Sequence, residues 1–195
     1  MVIILGYNNS ETEFLNKILA QKNINFKYSL VENQITTAKK IILPHPQNFN
    51  SAYKRMQMMN LFSFLRLVKK PILGINDGFC LMCNEILDKY KCGLGFFQLD
   101  VNSSSANENY SKKIVTGKIK VKDESKLVNS TFNNSEIKFD KNDNMQDCEF
   151  SKSVIQFEEK IFTLTCEQQN YFSVELDLEL NPELAENIIS NFLSL

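Results

Sequence analysis

The sequence predicts an α/β protein: a central, mostly parallel sheet flanked by helices, with a smaller antiparallel section. Three observations carry the prediction. Short apolar runs alternate with helix-periodic segments through the first half of the chain. The second half is a series of β-type segments joined by polar turns, and an amphipathic helix closes it. Val2-Ile3-Ile4-Leu5 reads as a buried strand, and Ser10-Glu11-Thr12-Glu13 as a capping box opening a helix to about Lys22. Phe26 to Val31 predicts a second strand, and Lys40 to Leu43 a third, stopped by Pro44 and Pro46. Ala52 to Lys69 predicts a helix with a break near Asn60, after which Pro71 opens a fourth strand. Further on, Gly95 to Val101 is strand-like and Asn102 to Ser111 a polar loop. Ile114 to Val121 alternates, and Phe132 to Asp147 is rich in Asn, Asp and Ser, which predicts exposed turns. Val154 to Phe157, Ile161 to Cys166 and Tyr171 to Leu178 form a strand series. Asn181-Pro182-Glu183 starts the final helix, with Leu184, Ile188, Ile189, Phe192 and Leu193 on its apolar face.

A chain of 195 residues without an evident linker or repeat predicts a single domain spanning 1–195. A net charge of −1 gives no electrostatic case for nucleic acid or an anionic membrane. The apolar run after Met1 lacks a basic flank and is too short for a signal peptide, and no run approaches the ~18 residues of a membrane span. The expectation is a cytoplasmic protein. Its five cysteines, an odd number, then predict reduced thiols rather than a disulfide framework. Cys80-Leu81-Met82-Cys83 is formally C-x-x-C. No second such pair completes a metal site, and the spacing fits two small hydrophobes one turn apart on a buried helix face beside Phe79 and Leu87. No metal or cofactor is expected.

Gly74-Ile75-Asn76-Asp77-Gly78 has the G-x-N-x-G shape of a nucleophile elbow, where a strand turns sharply into a helix and lifts one side chain above the sheet. The apex residue is an amide, a poor nucleophile. An elbow predicts a positive φ at Asn76, a region that Asn tolerates better than most residues. Phe62, Phe64, Leu65 and Val68 fit either a core-facing helix or a partner-binding stripe, as do Met56, Met58 and Met59. Lys112, Lys113, Lys118, Lys120 and Lys122 predict a solvated strand face or a phosphate-facing patch. Glu175, Asp177 and Glu179 alternate, so on one strand they would share a face and could hold a cation or a proton.

In order, these segments resemble the class I (triad) glutamine amidotransferases, most of all the glutaminase subunit of imidazole glycerol phosphate synthase. The family's P-G-V-G-x-F loop corresponds to Pro44-His45-Pro46-Gln47-Asn48-Phe49, and its elbow G-[VI]-C-x-G-M-Q to Gly74-Ile75-Asn76-Asp77-Gly78-Phe79-Cys80. A glycine-containing segment follows at Gly93-Leu94-Gly95-Phe96. The family's G-[VT]-Q-F-H-P-E strand falls on Ser173-Val174-Glu175-Leu176-Asp177-Leu178-Glu179, and its final helix on Ile188-Ile189-Ser190-Asn191-Phe192-Leu193. The resemblance implies a flavodoxin-like fold and an active site built from these loops.

The departures fall on the chemistry. In the family a Cys attacks the glutamine carboxamide, a His moves the proton and a Glu orients the His. The resemblance places Asn76, Asp177 and Glu179 at these positions, so only the glutamate keeps its type. The oxyanion loop loses both glycines to His45 and Gln47, and Pro46 removes an N–H between them. The implied cleft also contains Gly74, Asp77, Gly78 and Cys80. The expectation is an amidotransferase-like subunit without glutaminase activity, serving as structural or allosteric partner of a (βα)8-barrel cyclase-type synthase subunit. In the active family that pairing belongs to histidine biosynthesis. Two alternatives stand beside it: an active amidotransferase or hydrolase using Cys80 or Asp77, with His45 the chain's one histidine, and a stand-alone ligand-binding domain.

Overall fold

The computed structural model describes residues 1–7, 13–103, 113–122, 125–141 and 145–195. Most of the capping box, Lys112 and most of the polar loop after Asn102 lie outside the described residues. The chain divides into two compact units, Met1–Glu108 and Asn109–Leu195.

In the first unit, β1 (Val2–Leu5), β2 (Phe26–Ser29), β3 (Lys40–Leu43) and β4 (Ile72–Ile75) pair in parallel in the order β2-β1-β3-β4. β1 and β4 are buried along their whole length and β3 almost so. This is why their sequences are continuous apolar runs rather than alternating ones. β2, at the end of the order, alternates between half-exposed and exposed positions until Ser29. α1 (Glu13–Gln21) buries Leu15, Ile18 and Leu19, as its period predicts. The expected second strand stops two residues early, because the Ser29 hydroxyl accepts from the Val31 N–H and turns the chain. A short helix that the sequence did not signal, α2 (Glu32–Thr37), follows and buries Ile35.

The long predicted helix is two, α3 (Phe49–Met58) and α4 (Leu61–Leu67), broken where expected by Asn60 at φ 53°. Asn48 caps α3 by accepting from the Ser51 N–H at 2.8 Å. Leu65 and Val68 are buried with Met56, Phe62 and Phe64 are half-buried, and Met58 and Met59 are exposed. The remainder of this unit is a one-turn helix α5 (Asp77–Cys80) and a small sheet, β6-β5-β7, of β5 (Cys83–Ile86), β6 (Lys91–Cys92) and β7 (Phe97–Val101). The expected helical pairing of Cys80 and Cys83 is therefore wrong. Both are buried, but Cys83 begins a strand, and Leu87 is exposed. Gly93 explains the switch: a Cβ there would meet the Cys83 carbonyl oxygen at 2.2 Å, so its backbone lies hard against the start of β5.

The second unit is an antiparallel sheet in the order β12-β11-β10-β8-β9, with strands β8 (Ile114–Val121), β9 (Glu136–Asp140), β10 (Ser151–Phe157), β11 (Lys160–Gln168) and β12 (Tyr171–Val174). β9 corrects the expectation of exposed turns throughout 132–147. Its alternation of Ile137 and Phe139 with Glu136 and Lys138 is a half-buried strand hidden by polar flanks. On β8, Lys118 and Lys120 are exposed and alternate with buried Gly117 and Ile119, giving the solvated face. α6 (Pro182–Ser194) buries Leu184, Ala185, Ile188, Ile189 and Phe192, with Pro182 in its first turn. Among the described residues, no helix is long and apolar enough to cross a membrane. The α/β class is the one the sequence predicts: a parallel sheet with helices, then an antiparallel section.

Candidate functional site

The turn after β4 has the elbow's geometry. Asn76 sits at φ 49°, ψ −123°, the positive φ that the sequence predicts. This combination suits the first central position of a type II′ turn, where Gly, Asn and Asp dominate. The Asn76 carbonyl accepts from the Phe79 N–H at 2.7 Å, closing the turn into α5. The two framing glycines are fixed by contact. A Cβ on Gly74 would lie 2.6 Å from the Met82 sulfur and 2.8 Å from the Phe79 nitrogen; one on Gly78 would lie 2.1 Å from the Leu43 carbonyl oxygen. Gly78 thus lets α5 press against the end of β3, where the Pro44-His45-Pro46-Gln47 loop begins.

That loop is tied from a second side. The hydroxyl of Tyr7, just beyond β1, donates to the Pro44 carbonyl at 2.6 Å. Tyr7 is wholly buried, and burial together with the negative charge of Asp77 pushes its phenol pKa well up. Asp77 itself is 2% exposed. The Cys80 sulfur lies 3.7 Å from both Asp77 Oδ1 and the Asn102 carbonyl. His45 is half-buried, its Nδ1 enclosed without a hydrogen-bond partner; Pro46 is buried and Gln47 exposed. The carboxyl ends of β1, β3 and β4 therefore carry Tyr7, the His45 loop and Asn76. Such ends are where open α/β sheets place their ligands. Tyr7 escaped the sequence reading, although its position directly after a buried strand and Gly6 was a usable signal.

The arrangement has the backbone of a nucleophile site without its nucleophile. The Asn76 amide cannot form an acyl intermediate. Cys80 is buried and set against Asp77, at the end of the single turn of α5 rather than at its start.

Asp177 and Glu179 belong to the second unit. The expected strand Tyr171 to Leu178 ends instead at Val174. Asp177 Oδ1 accepts from the Glu179 and Leu180 N–H groups, each at 3.1 Å, an Asx turn that folds the chain out of the extended form. Glu175, Asp177 and Glu179 consequently do not share a strand face. Glu175 is buried at 8% exposure and Glu179 is exposed. Among the described residues, no three His, Cys, Asp or Glu side chains converge as a metal-binding group.

No family model and no curated protein matches the chain. Solved structures do. A glutamine amidotransferase superposes with TM-score 0.69 at 12% identity, covering 99% of this chain and 97% of that one. PurLQS from Thermotoga maritima gives 0.62 at 13%, covering 99% and 96%. A protein from Thermoplasma acidophilum, described as a GMP synthase subunit, gives 0.59 at 12%, covering 99% and 92%. The chain has the class I glutamine amidotransferase fold.

Proposed function

We propose that the two units form one glutamine amidotransferase-like domain that has lost glutaminase chemistry and acts as the structural or allosteric partner of a synthase subunit. The observation that carries this reading is Asn76: the elbow keeps its strained backbone and both close-packed glycines, yet its apex holds an amide. Whole-length likeness to an amidotransferase supports the single domain. Likeness to a chain described as a synthase subunit supports the existence of a partner. Within that frame, the resemblance to the glutaminase subunit of imidazole glycerol phosphate synthase points to a barrel synthase subunit.

Asp177 supports inactivity from the proton-transfer side. Its carboxylate holds two backbone N–H groups, a structural task that an imidazole at that position would not perform. Pro46 supports it from the oxyanion side, since a proline offers no N–H. The test is glutamate release from glutamine, by the chain alone and mixed with candidate barrel subunits. No turnover above the blank is expected. Turnover that vanishes on Cys80→Ala or Asp77→Asn would overturn the reading and identify a relocated nucleophile.

A further inference from the structure

The second unit holds a pair of thiols that plays no part in this reading. Cys148 and Cys166 are eighteen positions apart, yet their sulfurs are 3.6 Å from each other. The fold brings them together through the entry to β10. Gln146 bridges to Phe162, the chain turns with the Ser151 N–H donating to the Cys148 carbonyl at 3.1 Å, and Ser151 then pairs opposite Cys166. The register of β10 against β11 is irregular at this point, between Ser151 and Ser153 and again between Ser153 and Val154. Bulges of this kind bend a strand end and re-aim its side chains.

The surroundings favour an anionic sulfur on one member of the pair. The Ser151 hydroxyl is 3.4 Å from the Cys148 sulfur and 2.9 Å from the Thr163 hydroxyl, which in turn donates to the Gln146 carbonyl. Hydrogen bonding from the Cys166 thiol first, then from the Ser151 hydroxyl and the Phe150 N–H, outweighs burial and lowers the Cys148 pKa to about 6. Cys148 is half-buried, whereas Cys166 is completely buried. One thiol is reachable and polarised, and the other is sheltered beside it. This is the asymmetry of an attacking and a resolving cysteine.

We propose that Cys148 and Cys166 are a redox-active dithiol whose substrate class is small hydroperoxides, with Cys148 attacking and Cys166 resolving. The Cys148 thiolate attacks a peroxide oxygen; an S–O bond forms, the O–O bond breaks, and the leaving oxygen takes up a proton as water or an alcohol. The Cys166 sulfur then attacks the sulfenic acid. An S–S bond forms, the S–O bond breaks, and hydroxide departs as water with the Cys166 proton. The two thiols supply the two electrons that reduce the peroxide. Closing the bond requires the sulfurs to approach from 3.6 Å to about 2.0 Å, a displacement that the irregular end of β10 can absorb.

Peptide mapping of the unsubstituted protein after hydrogen peroxide treatment tests this directly. The expected first product is a Cys148–Cys166 cross-link, two hydrogens lighter than the reduced pair and reversed by dithiothreitol. First oxidation at the exposed Cys92, or a cross-link to Cys80 or Cys83, would overturn the proposal. Cys166→Ala should leave a Cys148 sulfenic acid that dimedone traps, and Cys148→Ser should leave Cys166 reduced. No gain in dimedone labelling in the first variant, or wild-type oxidation of Cys166 in the second, would also overturn it. The mapping on the unsubstituted chain stands even if either variant fails to fold.

Discussion

Asn76 is the residue whose backbone matters most. Its φ of 49° with ψ of −123° suits Gly and tolerates Asn, but strains a β-branched side chain. Asn76→Val should lower stability by about 1–3 kcal/mol in urea unfolding, while Asn76→Gly should be neutral or stabilising. The opposite result, with Val tolerated and Gly costly, would mean that the side chain and not the backbone is being kept. Gly78 gives a sharper case, because its neighbour is backbone: an added Cβ 2.1 Å from the Leu43 oxygen has no side chain to push aside. Gly78→Ala should cost at least about 3 kcal/mol. At Cys148 the lowered pKa sets a pH profile, with iodoacetamide labelling reaching half its plateau rate near pH 6 rather than at the ordinary thiol value. A pKa depressed on folding gives stabilisation that is present above the unfolded thiol's pKa and lost as pH falls through about 6, and Cys148→Ser should flatten that limb.

At the scale of elements, the sequence was most legible where burial was complete. β1, β3 and β4 declared themselves as apolar runs, and Asn60 broke the long helix where expected. The elements it hid are those whose signal is local competition rather than pattern. β9 alternates, but among Asn, Ser and Asp that dominate the window. α5 stops after one turn because tertiary contacts at Gly74 and Gly93, not propensity, set the path from Asn76 to β5. β12 ends at Val174 because Asp177 captures the following N–H groups, which alternation of acidic residues cannot reveal. The candidate site was legible as a sequence frame, Gly74 and Gly78 around Asn76, whereas the bond from Tyr7 to Pro44 and the contact of Gly78 with the end of β3 join residues far apart in the chain and leave no local pattern. Restoration tests the same elements. Asn76→Cys with Asp177→His should stay near background, because the second change also removes an Asx turn and loss of one oxyanion donor costs about 10²–10³ in rate. Adding His45→Gly, Pro46→Val and Gln47→Gly should raise glutamate release more than the first pair alone. Strong activity from the pair alone would show that the present loop already stabilises an oxyanion.

For the whole molecule, the expectation is a chain without glutaminase activity that exerts its effect through a partner. A barrel synthase subunit co-expressed with it should co-purify, and its ammonia-dependent rate should change on binding while its glutamine-dependent rate stays at background. Glutamine-dependent synthesis above the ammonia blank would refute this. Oxidation offers a separate global readout. A Cys148–Cys166 bond closes a loop of eighteen positions, which in the chain-entropy account contributes about 3 kcal/mol. The oxidised protein should therefore melt higher than the reduced one, unless the closure distorts β10 by as much.

The backbone at Asn76 also bears on how the protein ages. An asparagine deamidates when the peptide nitrogen of the next residue attacks its side-chain carbonyl carbon, and an extended ψ turns that nitrogen away. The ψ of −123° turns the Asp77 nitrogen towards the Asn76 side chain. Ring closure then expels ammonia, and hydrolysis leaves aspartate or isoaspartate. Prolonged incubation at mildly alkaline pH, followed by peptide mapping, should find position 76 converted ahead of Asn50, Asn129 and Asn134, which each precede a serine. Slower conversion at Asn76 than at those three would show that the turn holds the amide out of reach. The elbow would thus release one ammonia molecule in the lifetime of the chain, taken from its own apex.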